Sequence, residues 1–277
     1  MDYTEVRFYN NADLNEAIIA WLAEYDFDMF EERLDGVNAY IEAKRFKEED
    51  LSAILALIPG SEENIRYETT FIKDQNWNKK WESNFEPVLI AGKVYIRAPF
   101  HEKVEGYEFE IIIEPKMSFG TGHHDTTSLM IELMLQNNFE KKAVLDMGCG
   151  TALLAILAKK LRAGKITAID IDEWAFTNSL ENIERNEAAD IAVIQGDVHA
   201  IGNEKYDIIL ANINRNILLS DIPSYYSAMY TDGEIFLSGI LTGDKDIIDQ
   251  CATGCGLTFV SEASHNNWLA LHYKKNQ

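Results

Sequence analysis

The sequence predicts an α/β protein, a doubly wound and largely parallel sheet preceded by a small ferredoxin-like α+β domain. Three observations predict it. From Lys116 onward, short apolar runs alternate with amphipathic helical stretches, the order of successive βα units. Residues 1–73 run strand, helix, strand, strand, helix, strand, the order of a small βαββαβ domain. Within the longer part, "VLDMGCGTALLAI" is a strand run that breaks on Gly148 and Gly150 and resumes at helical spacing, as at the mouth of a nucleotide crevice. A chain of 277 residues with 47% hydrophobic residues can fill one large core or two smaller ones.

In order, "EVRFYN" is the first strand, and "LNEAIIAWLAEY" is a helix with Leu14, Ile18, Trp21, Leu22 and Tyr25 on one stripe. "FDMFEERLDG" and "VNAYIEA" form a hairpin that turns at Asp35-Gly36. "EEDLSAILALIPG" is a second helix, stopped by Pro59-Gly60, and "IRYETTFIK" closes the set as a strand. This domain carries no clustered nucleophile, base or ligand set. Residues 74–115 read as a linker in which Trp77 and Trp81 share one face of a connecting helix, followed by the strand-like runs "VLIAGKVYIRAPF" and "YEFEIIIEP". Residues 116–277 hold the strands "AVLDMG", "KITAIDID", "IAVIQGD", "YDIILANI" and "GEIFLSGI", and end in the hairpin "LTFVSEASHNNWLALHYK".

Ligands in such a sheet sit at the carboxyl ends of the strands, near the switch point. Gly148 and Gly150 let the chain turn sharply there and bring backbone amides close to a ligand, with the positive end of the following helix behind them. Leu153 stands where a dinucleotide fingerprint has its third glycine, which disfavours a nicotinamide cofactor. The next strand ends in Asp170, placed to accept from both hydroxyls of a ribose. The strand after that ends at Asp197, where a carboxylate can meet an adenine amino group. Asp172 caps the helix "EWAFTNSLENIERN".

Composition narrows the partners. A balance of 25 Lys+Arg against 46 Asp+Glu gives a formal charge of −21, which argues against direct nucleic-acid binding and for a basic protein partner. Acidity that serves only solubility is the plainer alternative. Cys149, Cys251 and Cys255 are an odd number and read as free thiols. Cys251 and Cys255 lack a second Cys/His pair, and His123, His124 and Asp125 lack a further ligand nearby, so no metal is expected. The opening "MDYTEVRFYN" has no basic start leading into an apolar stretch, and no window reaches a membrane span. A soluble, cytoplasmic monomer without membrane partners is expected.

A glycine loop, a ribose acid one strand later and a second acid after the next strand resemble the class I S-adenosylmethionine-dependent methyltransferases. Asp146-Met147-Gly148-Cys149-Gly150 is their first motif, and Ala152 departs from a common glycine. More specific is "EPKMSFGTGHHDTTSLMIELM", Glu114 to Met134, which resembles the ribosomal protein methyltransferase family of the PrmA type. That family methylates protein eleven of the large ribosomal subunit. "NWNKKWESNFEPV", "LANINRN" and "LSGIL" match it as well, and the leading ferredoxin-like domain agrees with its substrate-recognition domain. The resemblance implies S-adenosylmethionine as cofactor, contacted by Thr127, Gly148, Gly150, Asp170, Asp197 and Asn212, with Phe119 in a covering loop. It also implies Asn212 as the catalytic residue and a basic ribosomal protein as substrate. Two departures stand out: His124-Asp125 where the family has His-Pro, and Asn214-Arg215 where small or apolar residues are common.

The reaction so implied is an in-line displacement by a lysine or N-terminal amine, in which the enzyme mainly aligns the reacting atoms and excludes water. Desolvation favours the neutral amine, and Asn212 orients it without acting as general base. The alternatives are a class I methyltransferase acting on another protein, on RNA or on a small molecule, and a non-catalytic cofactor-binding protein of ribosome assembly. Against amide or adenine methylation, Asn212-Ile213-Asn214-Arg215 lacks the Asn-Pro-Pro-aromatic signature.

Overall fold

The computed structural model describes residues 2–10, 14–23, 25–33, 35–49, 51, 55, 65–72, 86–115 and 120–276. The chain divides into two compact units, Met1–Phe85 and Glu86–Gln277.

The first unit holds β1 (Tyr3–Tyr9), α1 (Asn15–Ala23), β2 (Met29–Arg33), β3 (Gly36–Glu42) and β4 (Arg66–Ile72). Its sheet runs β2-β3-β1-β4 with every pair antiparallel, the order expected of a βαββαβ unit. Along β1, Thr4, Val6 and Phe8 are buried in alternation with less buried neighbours, so one face meets Ile18 and Leu22 of α1. The hairpin begins β3 on Gly36 because a Cβ there would lie 1.9 Å from the Phe8 carbonyl oxygen, at φ +144. Glu48, Glu49, Leu51 and Leu55 are helical. The remainder of the expected second helix, the Trp21 side chain and the Trp77–Trp81 stretch lie outside the described residues.

The second unit opens with β5 (Val88–Ile90), β6 (Val94–Arg97) and β7 (Phe109–Ile112), a small sheet antiparallel in its first pair and parallel in its second. There follow α2 (Asp125–Leu135), β8 (Val144–Met147), α3 (Leu153–Lys160), β9 (Ile166–Asp170), α4 (Glu173–Arg185) and β10 (Ile191–Gln195). A 3-10 turn at Val198–Ile201 leads to β11 (Tyr206–Asn212), α5 (Arg215–Ala228), β12 (Met229–Leu241), α6 (Lys245–Gly254), β13 (Leu257–His265) and β14 (Trp268–Lys275). The large sheet runs β10-β9-β8-β11-β12-β14-β13, parallel except for β14, which opposes both its neighbours.

Central strands of such a sheet are covered on both faces and read as unbroken apolar runs. Val144, Ile208 and Leu210 join one core with Leu129 and Met130 of α2 and Leu153 and Ile156 of α3. Leu145, Ile209 and Ala211 join a second core with Leu218, Ile222 and Tyr225 of α5 and Ile248 of α6. Strand order reverses between β8 and β11, so the crevice opens at their carboxyl ends. The closing hairpin turns on Asn266 and Asn267, both at positive φ (46 and 68), the backbone that a two-residue turn needs to match strand twist. Among the described residues, no helix is long and apolar enough to cross a membrane.

Candidate active site

A cleft of about 1160 Å³ lies at the carboxyl ends of β8, β9 and β11 in the second unit. Thr127, Gly148, Gly150, Asp170, Asp197 and Asn212 all line it. Phe119 lies outside the described residues.

The loop after β8 is shaped by close approach. Gly148 has φ +67, and a Cβ on it would lie 2.3 Å from Ile213 Cγ2. Gly239 in β12 has φ +83, and its Cβ would lie 2.4 Å from the Ile213 carbonyl oxygen. Ile213 is therefore wedged between two glycines, which fixes the backbone that presents Asn212 on one side and Asn214 on the other. Ala152 takes a left-handed φ of 61, a conformation that glycine adopts more easily.

Asp170, expected from the sequence to face a ribose, holds backbone on both sides of it. Its Oδ2 accepts from the Gly150 amide at 2.8 Å and its Oδ1 from the Asp172 amide at 3.0 Å. One loop amide expected to meet a ligand is thus held by the acid of the next strand. A carboxylate has about four lone-pair sites, so two remain for hydroxyl groups. Asp172 caps α4 as expected, accepting from the Ala175 amide at 2.9 Å. Asp197 caps the 3-10 turn, accepting from the His199 amide at 2.9 Å, while still lining the cleft.

Asp146 sits beneath the loop and accepts from the Ala155 amide at 3.0 Å, against the positive end of α3. Burial raises its pKa from 3.8 to about 7, with the Asp170 charge adding to the rise and the Ala155 hydrogen bond opposing it. Burial also pushes the Cys149 thiol well above its ordinary value. Among the described residues, no group of three His, Cys, Asp or Glu side chains could hold a metal ion.

Two atoms in the cleft wall stand out. Thr127 Oγ1 and Asn212 Oδ1 are buried and have no hydrogen-bond partner among the described residues. Buried polar atoms are rarely left so, and here both border an open cavity that a ligand with matching donors or acceptors can fill.

A profile of the ribosomal protein L11 methyltransferase (PrmA) family matches residues 11–276. The chain belongs to that family. A relative from Bacteroides fragilis named ribosomal protein L11 methyltransferase is 44% identical over 262 residues, 94% of each chain. One of the same name from Phocaeicola vulgatus is 42% identical over 278 residues, 99% of each. The crystal structure of a ribosomal protein L11 methylase from Lactobacillus delbrueckii superposes with a TM-score of 0.66 at 27% identity, covering 70% of this chain and all (100%) of that one. A methyltransferase from Pyrococcus furiosus shares the fold, with a TM-score of 0.51 at 18% identity over 60% of this chain and 90% of that one. The fold is that of the class I methyltransferases.

Both departures from the PrmA pattern have structural partners. His124 caps α2, its Nδ1 facing the Thr126 amide at 3.3 Å and the Thr126 hydroxyl at 2.8 Å, while Asp125 meets His265 Nδ1 at 3.1 Å. Asn214 caps α5 through the Ile217 amide at 3.2 Å, and Arg215 pairs with Asp244 at 2.9 Å. His123 Nε2 lies 2.8 Å from the Glu86 carbonyl oxygen, which ties the Gly-Thr-Gly loop to the start of the unit. Sequence reasoning missed Trp268, which packs edge-on against His124 with ring centroids 4.7 Å apart and lines the cleft. It missed Ile213 and Gly239 too; a glycine inside the "LSGIL" strand was the available signal for the latter.

Proposed function

We propose that this chain transfers methyl groups from S-adenosylmethionine to amines, lysine side chains or the N-terminus, of ribosomal protein L11. Family membership supports the reaction class and the substrate protein. The observation that carries the site assignment is the pair of buried, unpartnered oxygens, Thr127 Oγ1 and Asn212 Oδ1, in the wall of one cleft.

S-adenosylmethionine supplies a methyl group already activated on a sulfonium. The residues of the chain bind and align. Asp170, with lone pairs left after holding Gly150 and Asp172, accepts from ribose hydroxyls, and Asp197 faces the adenine edge. Thr127 and the Gly148–Gly150 loop hold the remainder of the molecule. Asn212 Oδ1 would accept a hydrogen bond from an N–H of the incoming amine, so that the amine's lone pair faces the methyl group. A lysine amine in water has a pKa of about 10.4 and an N-terminal amine about 8, and the apolar cleft favours the neutral, nucleophilic form of either. Asn212 is the catalytic residue in this reading, as an orienting group and not a base. Residues 1–73 recognise the substrate protein, and residues 74–115 join them to the catalytic part, residues 116–277.

Equilibrium binding of S-adenosylmethionine to the full chain and to a version lacking residues 1–72 tests this division. Retained binding with lost methylation of the protein substrate supports it; methylation at the full rate by the shortened chain sinks it.

A further inference from the structure

Helix α4 carries a ladder of asparagines whose side chains act on backbone far from the helix in sequence. Asn186 donates to the Ile112 carbonyl at 2.7 Å and accepts from the Ile112 amide at 2.9 Å, as a neighbouring strand would. One turn earlier, Asn182 is fully buried, and its Oδ1 accepts from the Glu114 amide at 2.8 Å. Its Nδ2 donates to the Thr151 carbonyl at 3.1 Å and to Asn178 Oδ1 at 3.2 Å. Thr151 follows Gly150 in the cofactor loop, and its hydroxyl donates to the Gly120 carbonyl at 2.6 Å. A Cβ on Gly120 would lie 2.9 Å from that hydroxyl oxygen, so the two loops meet with no space between them.

We propose that Asn182 is a positioning residue for the methyl donor: one buried amide sets the glycine loop in register with the wall of the cleft that leads to Thr127. The loop segment Gly150–Thr151–Ala152 is then gripped at two points, Gly150 by Asp170 and Thr151 by Asn182. Both grips come from one βα unit, since Asp170 ends β9 and Asn182 lies on the helix that follows. Through Thr151 the second grip extends to Gly120, in the loop that feeds α2. Removing Asn182 leaves the Thr151 carbonyl buried without its donor and frees the loop to drift, which weakens capture of the donor molecule. The chemical step, once the donor is bound, depends on Asn212 and changes little. This inference rests on reading the cleft as the S-adenosylmethionine site.

The test compares full-length Asn182→Leu, Thr151→Val and Asn186→Leu for S-adenosylmethionine affinity, KM, kcat and thermal unfolding. Asn186→Leu removes an equal grip on β7 without touching the loop, and so controls for a purely structural role. Asn182→Leu and Thr151→Val are expected to raise Kd and KM for the donor roughly tenfold, the scale of one lost hydrogen bond, with kcat within about twofold. Asn186→Leu is expected to lower the unfolding temperature and leave Kd unchanged. In Asn182→Asp, donor affinity is expected to recover as pH falls, because a protonated carboxyl can again donate to the Thr151 carbonyl. Equal weakening by Asn186→Leu, or unchanged Kd in Thr151→Val, overturns the proposal. If Asn182→Leu does not fold, the Thr151→Val and Asn182→Asp results decide alone. Absence of S-adenosylmethionine binding by the unaltered protein overturns the functional reading itself, a result distinct from a failure confined to the variants.

Discussion

Replacing Gly148 with alanine tests the wedge that shapes the glycine loop after β8. Gly148 sits at φ +67, where an L side chain costs about 1–2 kcal/mol. The new methyl would also fall 2.3 Å from Ile213 Cγ2, an overlap that must push Ile213 against the backbone it already crowds at Gly239. Overpacking of this kind costs about 1–3 kcal/mol. Together, Gly148→Ala should destabilise the second unit by about 2–5 kcal/mol, read as a fall in the urea midpoint at unchanged slope. The two contributions separate in a double-mutant cycle with Ile213→Ala, which removes the clashing methyl and leaves the backbone strain. The cycle should show a favourable coupling of about 1–3 kcal/mol, so that the double variant is less destabilised than the sum of the singles. Strict additivity would refute the close approach of Ile213 to this loop and, with it, the account of how Asn212 is presented.

Asp170→Ala removes the acceptor for the Gly150 and Asp172 amides and, in the proposed function, for the ribose. At about 1.5–3 kcal/mol for a hydrogen bond to a charged group, S-adenosylmethionine should bind about 10- to 100-fold more weakly by calorimetry. Asn212→Ala should lower kcat by a similar factor while donor affinity changes less, and a variant that loses only affinity would contradict its orienting role. Asp146 holds its proton more tightly in the folded protein, near pH 7, than its ordinary value of 3.8. Rising pH therefore ionises the unfolded chain first, and stability falls between about pH 4 and pH 7 before levelling. Asp146→Asn should flatten that part of the urea-midpoint profile, and an unaltered slope would show that another group carries it.

Local patterning made most of the fold legible. The buried runs of the large sheet are mostly apolar because helices cover both faces, Val144–Met147 carrying Asp146 as its one charged residue, and the Asn266-Asn267 turn announces the closing hairpin. That Asp170 and Asp197 line one cleft was legible by position, since Asp170 ends β9 and Asp197 closely follows β10. Less legible was what Asp170 does for the protein itself: it grips Gly150, a partner that no local spacing marks, whereas Asp197 caps the turn that directly follows it. The wedge of Ile213 between Gly148 and Gly239 joins three segments that only the sheet order brings together. Trp268 is invisible for the same reason, since it reaches His124 only after the last strand has returned beside β12.

The most direct test of the central claim is the intact mass of unmethylated ribosomal protein L11 after incubation with the purified protein and S-adenosylmethionine. The account predicts increments of one methyl group, reduced at limiting S-adenosylmethionine with Asp170→Ala and reduced even at saturating S-adenosylmethionine with Asn212→Ala. An unchanged mass, in a preparation that demonstrably binds S-adenosylmethionine, would contradict the assignment of L11 as the substrate.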